Sequence, residues 1–519
     1  MELIHYSKSR HLRGFVAPKR WRSGRMAIYA LLAASLLPVS SAVGAAPEPA
    51  STPEKQATAP GKNTPEKPAP KPDGSSPDKP ASGKAPAEDK AATSTKNAPG
   101  DQASEAAETS SKPDSGIKFE LKEQNEGWGN LVGGAKRGTA YSGLTAGSVD
   151  VDLEKAIGWQ RARFFVSAYD IRGHGPSRSL VGNNQLVSSL EATPSVELYD
   201  LWLEQRLPGR ISIRLGQEGA NDELMISAHA ALYLNSSFGF PPLAAADLPS
   251  GAPNYPLATP FARIRWRASD QWSLVGAVFN GDPAPPGIGD PQIRDRNGTA
   301  FRLDDHTLAF AEARYAADLD APDKLQTNYK FGMWYHTGRF ADQRFDNAGG
   351  LLASPATSGV PWRHSSDFAV YGVVDQILWH REGTKDQGIG VFLQIQGAPG
   401  DRNLVDWFVA AGVNWNGPFD SRPDDVAGLA FSYLGISPAA RRFSRDLVAF
   451  GGAASAYASN ETIIEATYQA PVTKWLTLQP DAQLVLNPNA GIPNASGRIP
   501  RSPAFVIGLR ATIKLSNAD

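Results

Sequence analysis

Near the C-terminal end, eleven consecutive residues alternate without a break: Phe505, Ile507, Leu509, Ala511, Ile513 and Leu515 against Val506, Gly508, Arg510, Thr512 and Lys514. Successive side chains of a strand point to opposite faces, so this run has one greasy face and one mostly polar face. A second run interleaves Leu476, Leu478, Pro480, Ala482, Leu484 and Leu486 with Thr477, Gln479, Asp481, Gln483 and Val485. Shorter ones occur at residues 149–153, 211–215 and 464–468. A chain written this way must form a sheet whose two faces meet different environments.

Length helps to decide which environments. Strands of about nine to eleven residues match a tilted bilayer crossing, whereas sandwich strands average about five or six. Arg263, Arg265 and Arg267 share one side of a run whose other side holds Ile264, Trp266 and Ala268, and so charged a face requires water. Between residues 118 and 519 no interval approaches 18 consecutive apolar residues, so a membrane would be crossed by strands. Closing the sheet leaves no unpaired edge in hydrocarbon. At about 25 residues per strand with its connection, residues 118–519 give roughly 16 strands. The expected fold is therefore all-β, a transmembrane antiparallel β-barrel. Trp266, Trp272 and Trp475 stand near the ends of alternating runs, where interfacial girdles belong, though the same rings could anchor a soluble core.

The first 117 residues read differently. Lys8, Arg10, Arg13, Lys19, Arg20, Arg22 and Arg25 precede an apolar stretch (27–39) and small residues to Ala46, the pattern of a secretory signal peptide spanning 1–45. The alternative, an inner-membrane anchor, needs a longer apolar core. Residues 46–116 contain 13 prolines and no Leu, Ile, Val, Met, Phe, Tyr or Trp, so segment 46–117 is expected to be a disordered periplasmic tether, with peptidoglycan contact as its functional alternative. Cysteine is absent, which excludes disulfides, thiolate metal sites and thiol nucleophiles. Eight histidines are few for a metalloenzyme, and a formal net charge of −1 leaves no basic footprint for nucleic acid. No cofactor or metal is expected. An enzymatic barrel is disfavoured, since no Gly-x-Ser-x-Gly elbow, HExxH pair or phosphate loop stands out in residues 118–519. A soluble exported lectin is the third class, distinguished by extraction without detergent.

A series of short motifs resembles the carbohydrate-selective porin (OprB) family. They are residues 201–205 (LWLEQ), 214–217 (RLGQ), 235–242 (NSSFGFPP), 247–251 (DLPSG), 255–260 (YPLATP), 334–340 (WYHTGRF), 397–399 with 401–403 (GAP, DRN) and 422–425 (RPDD). Their ordered succession is the specific signal. The resemblance implies a 16-stranded outer-membrane barrel admitting mono- or small oligosaccharides by facilitated diffusion, surrounded by lipid and lipopolysaccharide and inserted by the barrel assembly machinery. A general or anion-leaning diffusion porin is the alternative; oligomeric state is not implied. The chain departs from the usual aromatic C-terminal signal, with Leu515 followed by Ser516-Asn517-Ala518-Asp519, which bears on assembly rather than fold.

Selectivity in such a channel lies at its narrowest point, where hydroxyl-rich solutes exchange hydration for weak contacts with aromatic, amide and charged groups. Three candidate sets follow. Residues 218–260 have little strand pattern and are expected to fold into the lumen, presenting Glu218, Asp222, Asn235, Phe238, Asp247 and Tyr255; an external loop is the alternative. Tyr335, Arg339, Asp342 and Arg344 place guanidinium groups among aromatics near a strand end, suited to sugar hydroxyls or to a structural Arg–Asp brace. His336 is expected to be a hydrogen-bonded lumen residue rather than a metal ligand. The ladder Arg263, Arg265, Arg267 is expected to face acidic residues such as Asp401 or Asp406 across the lumen, giving a transverse field, or else to be solvated wall charge. Arg402 ranks behind these.

Overall fold

The computed structural model describes residues 115–318, 325–384, 387–453, 455–493 and 502–517. The expected signal peptide and nearly all of the tether lie outside these residues. Among the described residues eighteen strands are present: β1 (Ile117–Val132), β2 (Gly138–Asp152), β3 (Ala162–His174), β4 (Ser195–Leu207), β5 (Ile211–Glu218), β6 (Thr259–Arg267), β7 (Trp272–Asn280), β8 (Thr307–Ala317), β9 (Thr327–His336), β10 (Phe340–Asp346), β11 (Pro361–His364), β12 (Asp367–His380), β13 (Gly388–Gly397), β14 (Val405–Asn416), β15 (Val426–Ile436), β16 (Asn460–Thr473), β17 (Leu476–Leu486) and β18 (Ala504–Ser516). All but β10 and β11 join one closed antiparallel barrel of sixteen strands in chain order. Closure is made by β1 against β18, with Glu120 opposite Ser516 and Asn130 opposite Val506. The β10–β11 ribbon is inserted between β9 and β12, which pair directly.

The two rims are unequal. The start of β1, the end of β18 and tight turns such as 208–210, 268–271 and 474–475 share one end, while the connections 175–194, 219–258, 281–306, 337–366 and 437–459 share the other. Short turns face the periplasm and long loops the exterior in barrels of this kind.

The alternation places its two faces as written. On β18, Phe505, Ile507, Leu509 and Leu515 are exposed on the outer wall, while Val506 and Arg510 are buried within. On β17, Gln479, Asp481, Gln483 and Val485 are buried within the barrel. Trp266, Trp272 and Trp475 are exposed at the periplasmic ends of their strands, the girdle position, where an amphipathic ring straddles oil and water.

Candidate solute path

The long connection between β5 and β6 runs inside the barrel, as its lack of strand pattern predicts. It is held by wall carboxylates and amides that accept or donate at otherwise orphaned main-chain groups. Glu312 of β8 accepts from Met225 N at 3.1 Å, and Asp375 of β12 accepts from Ala228 N at 3.1 Å and from Ser227 Oγ. Tyr233 donates its hydroxyl to Asn414 of β14 at 3.0 Å. Glu465 of β16 accepts from Leu234 N and Asn235 N at 2.6 and 3.0 Å, and Asn235 Nδ2 donates to Gln483 of β17 at 2.9 Å. The loop seats on glycines of the wall. A Cβ at Gly390 would stand 2.7 Å from the His229 ring, and one at Gly428 would stand 2.6 Å from Leu232.

A second loop, residues 175–194, also folds inward and meets the first through Ser189 N to Leu234 O (2.8 Å) and Ser236 N to Leu186 O (2.9 Å). It is tied to the wall by Gln185 N donating to Glu461 at 2.7 Å and by Ser188 Oγ donating to Glu126 at 2.5 Å, the latter carboxylate also accepting from Arg510 Nε at 2.7 Å. Sequence reasoning missed this loop. The run of amides and hydroxyls at Asn183, Asn184, Gln185, Ser188 and Ser189 was the available signal.

Within this second loop Glu191 accepts from Ser177 N (3.0 Å), Ser177 Oγ (2.7 Å) and Ser188 N (3.1 Å). Burial, reinforced by Glu126 and opposed by those donors, pushes its carboxyl up from 4.5 to about 7. A raised acid binds its proton more tightly in the folded state. Its contribution to the loop's hold is therefore complete below pH 4.5 and is lost as pH rises through about 7. Hydrogen exchange at the amides of residues 177–191 should accelerate between pH 5 and pH 8 beyond the intrinsic pH effect, and Glu191→Gln should remove that excess.

The first loop carries Glu223 to the middle of a charge cluster on the barrel wall. Arg263 Nε lies 2.8 Å from Glu223, Arg314 Nη1 3.2 Å and Arg214 Nη1 3.6 Å, and Arg265 pairs with it as well. Arg214 also meets Glu218 at 2.7 Å and Glu204 at 3.0 Å, and Arg263 meets Glu204 at 2.9 Å. The Arg214 guanidinium rests 4.0 Å from the centre of the Trp202 ring, which stacks on Phe165 at 5.2 Å. Arg314 pairs with Glu312, which accepts from the Tyr371 hydroxyl at 2.9 Å. Burial opposes ionisation of Glu223, but Arg265, Arg263, Arg314 and Arg214 outweigh it and hold its carboxyl well below the usual carboxylate range. Arg214 and Arg263 are enclosed, whereas the Arg265 side chain keeps 22% of its surface open and Arg314 13%.

The sequence-derived candidates divide between three places. Glu218, Arg263 and Arg265 belong to this cluster, and Arg267 continues the ladder, exposed, at the periplasmic end of β6. The acidic partners of the ladder are Glu204 and Glu223, which corrects the expectation of Asp401 or Asp406: Asp401 pairs with Arg402 outside β14, and Asp406 lies at the outer end of that strand. Asn235, Phe238 and Asp247 are on the inward loop, the first two enclosed and Asp247 half-buried. Phe238 packs on Tyr233 and Phe392, and Asp247 accepts from Leu404 N at 2.8 Å, so these three hold the loop rather than offer a surface to solute. Asp222 is half-buried in the turn Ala220–Asp222, and the Tyr255 hydroxyl bonds Leu190 O at 3.3 Å, joining the two loops.

The third place is the outer mouth. Arg344 pairs with Asp446 of the helix Pro438–Ala449 at 2.7 Å, Asp342 with His364 at 3.0 Å, and Arg402 donates to Ser366 O at 2.8 Å, while Arg339 is exposed. His336 is buried and bonds Gly281 O at 2.9 Å. Tyr335 is corrected outright. Its neighbours Trp334 and His336 face inward, so Tyr335, 43% exposed and opposite Phe368, stands on the lipid wall in the outer girdle. Tyr335→Ala should leave sugar uptake unchanged and destabilise the barrel by about 1 kcal/mol through the lost cross-strand pair, read as a lower unfolding temperature in detergent.

A closed barrel with an oily exterior, a charged interior and an inward loop defines an outer-membrane diffusion porin. Residues 136–515 match the family described as carbohydrate-selective porin, OprB family, and the chain belongs to that family. It is thus a porin of the Gram-negative outer membrane through which carbohydrates diffuse. Porin B of Pseudomonas aeruginosa is 23% identical over 394 residues, covering 72% of this chain and 83% of the relative. The high-pH structure of Pseudomonas putida OprB superposes with a TM-score of 0.68 at 21% identity, covering 78% of this chain and 95% of that one.

Proposed function

We propose that sugars are selected where Glu223 of the inward loop meets the arginines of β5, β6 and β8. The observation that carries this reading is the division of labour inside the cluster. Arg214 and Arg263 are enclosed and fully engaged by Glu204, Glu218 and Glu223, which fixes the geometry. Arg265 and Arg314 keep open surface, and Arg267 extends the row toward the periplasm. Guanidinium groups already half-neutralised by carboxylates can donate to sugar hydroxyls without gripping them, which a conducting site requires. At the mouth, Asp342, Arg344 and Arg402 brace the outer loops while Arg339 is exposed, and this set contributes less to selection.

Swelling of proteoliposomes tests this. Arg265→Ala and Arg267→Ala should each alter the relative rates for glucose and maltose, whereas Arg339→Ala should not. Unchanged ratios in the first two variants with a changed ratio in the third would move the selective point to the mouth. No covalent step is part of this reading, and turnover of esters or phospholipids by the purified barrel would oppose it.

A further inference from the structure

On β4–β9 the inner wall changes character on the periplasmic side of the Glu223 cluster. Strand register lays its side chains out in two neighbouring rows. One runs Arg206, Ser212, Arg265, Val275 and Glu312 across β4 to β8. The next, a step nearer the periplasm, runs Arg267, Ser273, Arg314 and Lys330 across β6 to β9. Their chain neighbours Leu207, Trp266, Trp272, Leu274, Tyr329 and Phe331 are exposed on the outer wall, so both rows point into the lumen. Against the cations Arg206, Arg265, Arg267, Arg314 and Lys330 these rows hold one carboxylate, Glu312.

Part of this charge is already spent. Lys330 donates to Ile226 O at 2.7 Å, Arg314 pairs with Glu312 and Glu223, and Arg265 pairs with Glu223. The remainder is open. Arg206 lies 3.7 Å from Glu204, whose carboxylate is shared by Arg214 and Arg263 at 3.0 and 2.9 Å, and keeps 47% of its side chain exposed. Arg267 is exposed and has no carboxylate partner among the described residues. These two arginines stand two strands apart, a spacing of about 10 Å that two long side chains can close onto one small anion. Ser212 and Ser273 lie beside them, opposite Arg206 and Arg267 in register, and bring hydroxyls to the same patch.

We propose that this patch takes the carboxylate of acidic monosaccharides, the aldonic and uronic acids, and so extends the channel's substrate class from neutral to anionic sugars; this assignment rests on sugar selection at the Glu223 cluster. Position favours sugar acids over anions at large. A solute entering from outside reaches Arg206 and Arg267 only after passing that cluster, where hydroxyls are recognised. A guanidinium then binds the carboxylate through two parallel hydrogen bonds while the serines meet the sugar hydroxyls. Both arginines are open to water, so the grip is weak and screened by salt, as passage requires.

Entry of radiolabelled gluconate and glucose into proteoliposomes tests this. At low ionic strength the wild type should admit gluconate at least as fast as glucose. Raising salt to about 1 M, where the screening length falls to about 3 Å, should lower the gluconate-to-glucose ratio several-fold. The double variant Arg206→Gln, Arg267→Gln should lower that ratio as far at low salt and lose most of its salt dependence. Exclusion of gluconate by a wild type that admits glucose, or a ratio that neither salt nor the double variant moves, would overturn the proposal. Entry of 2-morpholinoethanesulfonate, an anion of similar size without hydroxyls, as fast as gluconate would overturn it too, by making the wall a plain anion filter. Sugar selection at Glu223 fails separately, on an unchanged glucose-to-maltose ratio in Arg265→Ala.

Discussion

Replacing residues 221–256 by a short Gly-Ser turn is expected to raise single-channel conductance several-fold and to flatten the difference in uptake between small and larger sugars. The segment crosses the lumen from the cluster around Glu223 to Gln483, touching β8, β12, β14, β16 and β17 on the way, and its removal widens the passage along that whole arc. The barrel should survive, because strand pairing and the outer face are independent of the loop, and Glu312, Asp375 and Glu465 would exchange loop amides for lumen water. Planar-bilayer recording measures the first effect and liposome swelling the second. Wild-type conductance in the shortened protein would show that the loop does not define the constriction.

The second large effect is at Glu223. Its carboxylate is shared by Arg214, Arg263, Arg265 and Arg314. Removing one partner of a buried charge set leaves the others uncompensated, at a cost of about 3 kcal/mol or more. Glu223→Gln should therefore lower the unfolding temperature, loosen the loop and swing ion preference toward anions, since the same guanidinium groups then face the lumen with less counter-charge. In a potassium chloride gradient the reversal potential should move toward that of chloride. Glutamine keeps the shape and two acceptor-side contacts, so an effect on ion preference reports charge rather than a void. An unchanged reversal potential would remove Glu223 from the conducting path.

The barrel was legible because its signal is redundant. Each run such as 505–515 states both the strand and its two solvents, and the inward loop was legible as the longest interval where that statement lapses. The phase of an individual strand was harder. Around Tyr335 both faces carry aromatic or polar rings, Trp334 and His336 within and Tyr335 without, so chemistry alone does not say which face is which. Partners of the arginine ladder were out of reach for another reason. Glu204 meets Arg263 through the row Glu204–Arg214–Arg263 that the register of β4, β5 and β6 sets, and Glu223 arrives from a turn inside the lumen; neither the register nor the inward path of the loop is written in the local alternation.

The account stands or falls on ion current through the purified protein in a planar lipid film. Detergent-extracted barrel should insert in discrete steps, each an ohmic, water-filled conductance that falls in a saturable way as maltose is added. A protein that partitions into buffer without detergent and leaves the film insulating would contradict the closed barrel, the wet lumen and the sugar path together.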